Sequence, residues 1–70
     1  MTSSKRIQRN CYLRIRIEGK EVSLNAHASG EGADEKSATK KAEENAYKEV
    51  CRRAKEKHGD YTEISHRFGS

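Results

Sequence analysis

Seventy residues, of which 31% are hydrophobic and 37% charged, make one small domain with a thin core. There is no apolar run long enough to cross a membrane or to serve as a signal peptide, so a cytoplasmic chain is expected. The formal net charge is +4: residues 1–30 hold six Lys and Arg against two acids, and residues 31–70 hold nine against nine. A solvated surface usually intersperses its signs. An excess confined to one half of the chain instead predicts a polyanionic partner.

In chain order, residues 1–4 read as a flexible tip, 5–60 as a single sheet-plus-helix unit, and 61–70 as a tail or a linker to further domains. Lys5 to Arg9 read as a short first strand with Ile7 inward and Arg6 and Gln8 outward, turning at Arg9-Asn10. The strongest local pattern follows, in NCYLRIRIEGKEVSLNAHA. Leu13, Ile15 and Ile17 alternate with Tyr12, Arg14 and Arg16, and after a Glu18-Gly19-Lys20 turn Val22, Leu24 and Ala26 alternate with Ser23, Asn25 and His27. Side chains two apart share one face of a strand, so the pattern predicts a hairpin with one apolar and one basic face.

Ser29 to Ser37 is polar and glycine-containing, which predicts a loop into a helix. Ala38, Ala42, Ala46, Val50 and Ala54 recur every four residues, with Tyr47 and Cys51 beside them. That stripe predicts a helix from about Asp34 or Ser37 to Lys57. Acids at its start and bases at its end suit the helix dipole, and Gly59 is placed to end it. The fold class expected is therefore α+β: a three-stranded antiparallel sheet packed on one C-terminal helix.

The candidate nucleic-acid contacts are the outward strand residues Arg6, Gln8, Tyr12, Arg14, Arg16, Ser23, Asn25 and His27, with Arg9 and Lys20 adding charge to the same half. Arginine bonds guanine bidentately, Asn and Gln bond adenine, and a narrow β-ribbon enters the major groove. Three tyrosines and one phenylalanine are too few for a stacking platform, which favours a duplex over a single strand. Lys36, Lys40 and Lys41 near the helix start are candidate phosphate contacts, and they support double-stranded RNA as the alternative ligand.

Cys11, His27, Cys51 and His58 lack the short paired spacings of a zinc site, so no metal or cofactor is expected and the cysteines read as core thiols. No nucleophile sits in an activating motif, so the chain reads as a binding domain rather than an enzyme.

CYLRIRIEGKEVSL, ATKKAEENAYKEVCRRA and HGDY together resemble the Apetala/ethylene-response type of DNA-binding domain, in the form carried by phage and bacterial homing endonucleases. They also resemble the N-terminal arm-type DNA-binding domain of tyrosine-recombinase integrases. Tyr12 stands nearest to the strand tryptophan of the first family. The resemblance implies a three-stranded sheet in the major groove, with Arg14, Arg16, Ser23 and Asn25 as readers. It implies sequence-specific duplex-DNA binding by a module of a phage or mobile-element protein, associated with the nucleoid of a bacterial or phage-infected cell. The Ala-rich helix after strands also resembles the end of a double-stranded-RNA-binding domain, in which Lys36, Lys40 and Lys41 would grip phosphates.

Overall fold

A computed structural model of the chain describes residues 4–69, so all but the last residue of the expected tip lies outside the described part. Four elements follow in order: β1 (Lys5–Ile17), β2 (Lys20–Gly32), α1 (Glu35–His58) and β3 (Thr62–Gly69). They form a three-stranded sheet of order β2-β1-β3, with β1 antiparallel to both neighbours. β2 and β3 therefore run parallel on either side of β1, and α1 is the crossover between them, a split βαβ unit.

The expected α+β class, three antiparallel strands and one helix, is present, with a different allotment of residues to strands. Lys5 to Arg9 do not turn at Asn10. They run on into the next segment as one 13-residue strand, and β2 matches it residue for residue from Ile17↔Lys20 to Lys5↔Gly32. Once the long partner strand exists, residues 29–32 join the ladder, so the polar stretch expected as loop is strand over its first four residues and helix over its last three, with only Ala33 and Asp34 between them. The third strand is the segment expected as a tail. It pairs with β1 from Asn10↔Gly69 to Arg16↔Thr62, with Ile64 as an extra residue in a bulge.

The β1–β2 turn is two residues long, and Glu18 and Gly19 both have positive φ, 50° and 80°. Both central residues of a type I′ turn sit in that region, and its twist matches the flanking strands. The helix begins at Asp34, whose carboxylate accepts the Ser37 amide at 2.7 Å. That bond holds the Asp34 carboxyl below its usual value. The helix ends where the Gly59 amide reaches the Lys55 carbonyl.

The core is one sheet face against one helix stripe. Cys11, Leu13 and Ile15 of β1, Ala26 of β2 and Ala38, Ala42, Ala46, Val50 and Ala54 of α1 are all buried. Alanine contributes little apolar area, so the stripe works by letting the helix come close. A Cβ added at Gly30 would lie 2.7 Å from the Lys41 carbonyl carbon and 2.8 Å from the Ala38 oxygen. One added at Gly32 would lie 2.6 Å from the Ala38 amide nitrogen. These neighbours are helix backbone and cannot swing aside.

β3 is held to the helix by polar and aromatic contacts. The Tyr47 hydroxyl donates to Glu63, and His66 Nδ1 lies 2.9 Å from the same carboxylate. The Tyr47 and His66 rings are 4.8 Å apart, and those of His66 and Phe68 are 5.6 Å apart. The Tyr47 bond, then that of His66, holds the Glu63 carboxyl below its ordinary range.

Gly30→Ala should lower the free energy of unfolding by about 1–3 kcal/mol or more, since the new methyl meets helix backbone. Urea unfolding checks this, and an unchanged midpoint would show that the helix stands further off. Glu63, with its folded pKa depressed, contributes stability that is full above its unfolded value and lost as pH falls through the folded one. Thermal melts between about pH 5 and pH 3 should therefore fall less steeply for Glu63→Gln than for the parent chain.

Candidate nucleic-acid interface

Because side chains alternate along a strand, burying Cys11, Leu13 and Ile15 under the helix sends Tyr12, Arg14 and Arg16 to the other side. No described element covers that side. Across it the register sets rows: Arg6 opposite Glu31, Gln8 opposite Ser29, Asn10 opposite His27, Tyr12 opposite Asn25, Arg14 opposite Ser23, and Arg16 opposite Glu21. β3 extends the lower rows, bringing Arg67 beside Tyr12, Ser65 beside Arg14 and Thr62 beside Arg16. The face thus presents four arginines against two glutamates, with amide, hydroxyl and imidazole groups between them.

Its electrostatics are those of a solvated surface whose charges are only loosely held. Arg14 Nε lies 3.9 Å from Glu21, with both side chains more than half exposed, and such pairs contribute little. Arg6 donates to the Ser29 hydroxyl over a long 3.4 Å. Arg67 lies over the Tyr12 ring, 5.0 Å from its centroid, a contact that orders the guanidinium without consuming its donors. Tyr12, Arg14, Ser65 and Arg67 border a shallow depression along the β1–β3 seam.

Eight of the expected strand contacts share this face: Arg6, Gln8, Tyr12, Arg14, Arg16, Ser23, Asn25 and His27. Arg9 does not. Its odd position turns it under the helix, where it meets Glu43 at 3.1 Å with both side chains about three-quarters buried. β1 is unbroken at Asn10, so the alternation runs through it, whereas a turn there would have reset it. Lys20 sits at the exposed hairpin end, paired with Ile17. Lys36, Lys40 and Lys41 are all exposed on the first turns of α1. The helix lies on the opposite side of the sheet, so these lysines are separated from the arginine rows by the thickness of the domain.

Arg67, Ser65 and Thr62 belong to the face and lie in the stretch expected as a tail. The available signal was the β-branched and aromatic content of TEISHRF. It was masked because the inward residues of β3 are Glu63, His66 and Phe68, while apolar Ile64 is 41% exposed.

The residues considered for zinc do not gather. Cys11 is in the core, where burial and then the neighbouring Cys51 push its thiol pKa up, and His27 is on the open face. Among the described residues no cluster of three or more His, Cys, Asp or Glu is arranged to hold a metal, and no helix is long and apolar enough to cross a membrane. No protein-family model, curated protein or solved structure matches the chain.

Proposed function

We propose that the chain binds duplex nucleic acid, DNA in preference to RNA, by laying the open face of its sheet in the major groove. The observation that carries this reading is the row system centred on Tyr12. Arg14, Arg16 and Arg67 project from one uncovered face, flanked by Asn25, Ser23 and Ser65 and held on a sheet that the helix stiffens from behind. Three strands about 4.8 Å apart span roughly 10 Å, which suits a groove about 12 Å wide. Arg14, Arg16 and Arg67 have the donor geometry for guanine, Asn25 and Gln8 that for adenine, and Ser23, Ser65 and Arg6 reach phosphates.

The likeness of the β1, β2 and α1 residues to Apetala/ethylene-response and integrase arm-type domains favours the same placement, although the third strand, expected before the helix from that likeness, here follows it. The likeness makes the chain a sequence-specific module of a phage or mobile-element protein such as an integrase, acting in DNA recombination beside further domains. A second reading rests on Lys36, Lys40 and Lys41 at the helix start, a cluster suited to the phosphates of double-stranded RNA.

Arg14→Ala, Arg16→Ala and Arg67→Ala should each weaken binding to a selected DNA duplex by about 1–3 kcal/mol, while Lys40→Ala costs less. Affinity should also fall steeply with added salt. Fluorescence anisotropy with labelled duplexes measures both. If the arginine variants bind as tightly as the parent and the lysine variants do not, with RNA displacing DNA, the ligand is RNA and the helix carries it.

A further inference from the structure

The sheet has two outer edges, and they differ. β3 is short and is broken by the bulge at Ile64, a feature that disrupts further strand pairing. β2 is 13 residues long and in unbroken register with β1. In a two-residue hairpin the residues flanking the turn, here Ile17 and Lys20, exchange both backbone bonds. The even-numbered residues of β2 therefore point their N–H and C=O groups at β1, and the odd-numbered ones from Glu21 to Glu31 point theirs outward.

One end of that outward row is closed. The side-chain amide of Asn45, on the helix, donates to the Ser29 carbonyl at 3.0 Å. Between the turn and that contact the open row runs from Glu21 to His27, and its midpoint is Leu24. Leu24 is half-buried, and with Ser23 and Asn25 it borders a groove whose other wall is Arg53, Glu56 and Lys57 on the last turns of α1.

We infer that this edge is an interface with a second copy of the chain, in which β2 pairs antiparallel with its twin about a two-fold axis at Leu24. In that register the segment is complementary to itself. Glu21 falls opposite His27 of the partner subunit, Ser23 opposite Asn25 of the partner subunit, and Leu24 opposite Leu24 of the partner subunit. Moving the axis to Ala26 would oppose Glu21 to Glu31, two like charges across a pair. Leu24 becomes a non-hydrogen-bonded pair, the kind that brings side chains closest. The mixed charges of Arg53, Glu56 and Lys57 meet their copies across the same axis, where a cation of one helix can face the acid of the other.

The pairing makes a six-stranded sheet about 24 Å across. That is too wide for a groove of about 12 Å, so the paired form and the groove-bound form are alternatives. The self-association is therefore measured without nucleic acid, and its failure is distinguishable from failure of the proposed function.

Sedimentation equilibrium up to about 1 mM chain should show the parent chain moving from 8.0 kDa toward twice that mass. Asn25→Pro removes an outward N–H that the β1–β2 ladder does not use, so it should stay monomeric while keeping the parent's circular dichroism. A second pair of variants tests the register without proline. In a Cys51→Ser background, Leu24→Cys should cross-link to its own copy on mild oxidation, since opposed residues there have Cα atoms about 4.5 Å apart. Val22→Cys, opposite Ala26 of the partner subunit, should cross-link far less. A parent chain that stays monomeric throughout overturns the proposal, and a strand offered by a different protein would then be the edge's occupant. Equal cross-linking at positions 22 and 24 also overturns it.

Discussion

The structure depends on how near one helix comes to one sheet. Gly30 and Gly32 have no room for a Cβ because the backbone of Ser37 to Ala42 occupies it, and the alanines at 38, 42 and 46 let the approach continue down the helix. Dispersion and apolar burial both reward close surfaces. A chain with so few large apolar residues obtains its cohesion from proximity, with Leu13, Ile15 and Val50 as its largest fully buried side chains. Tyr47, Tyr61 and Phe68 pack around the core as partly buried aromatic rings.

Two properties of the surface follow from that constraint. The helix occupies one side of a sheet only three strands wide, so every other residue of β1 is committed to the opposite, uncovered side. The same packing sorts the charges. Arg9 is drawn under the helix to Glu43, and the exposed helix face is balanced by pairs such as Arg52 with Glu49 and Glu56. Arg14, Arg16 and Arg67 are left on the flat side, where Glu21 and Glu31 offset them only in part. An elongated body, 52 Å in its longest dimension, then presents a narrow cationic strip rather than a diffuse positive field.

Much of this was legible in the residues alone. The alternation from Cys11 to Ala28 is strict enough to place the hairpin, its turn and its two faces, and the four-residue alanine spacing places the helix and its inner stripe. Eight of the ten strand-half contacts follow from parity. Two features were not legible, for different physical reasons. Lys5 to Arg9 read as a strand, but their continuation through Asn10 into the next segment is set by pairing with Ala28 to Gly32, a partnership that no local pattern reports. β3 turns a carboxylate, an imidazole and one aromatic ring toward the helix side, so its inward face does not look inward. The bond from Tyr47 to Glu63 exists only once the helix is in place.

Which side of the domain meets a nucleic acid is tested most directly by amide chemical-shift mapping during titration with a DNA duplex and an RNA duplex. The sheet reading predicts that DNA perturbs Tyr12, Arg14, Arg16, Ser23, Asn25, Ser65 and Arg67 and leaves Lys36 to Lys41 nearly unmoved. Perturbations gathered at Lys36, Lys40 and Lys41, with the sheet face silent and RNA the tighter ligand, would contradict it.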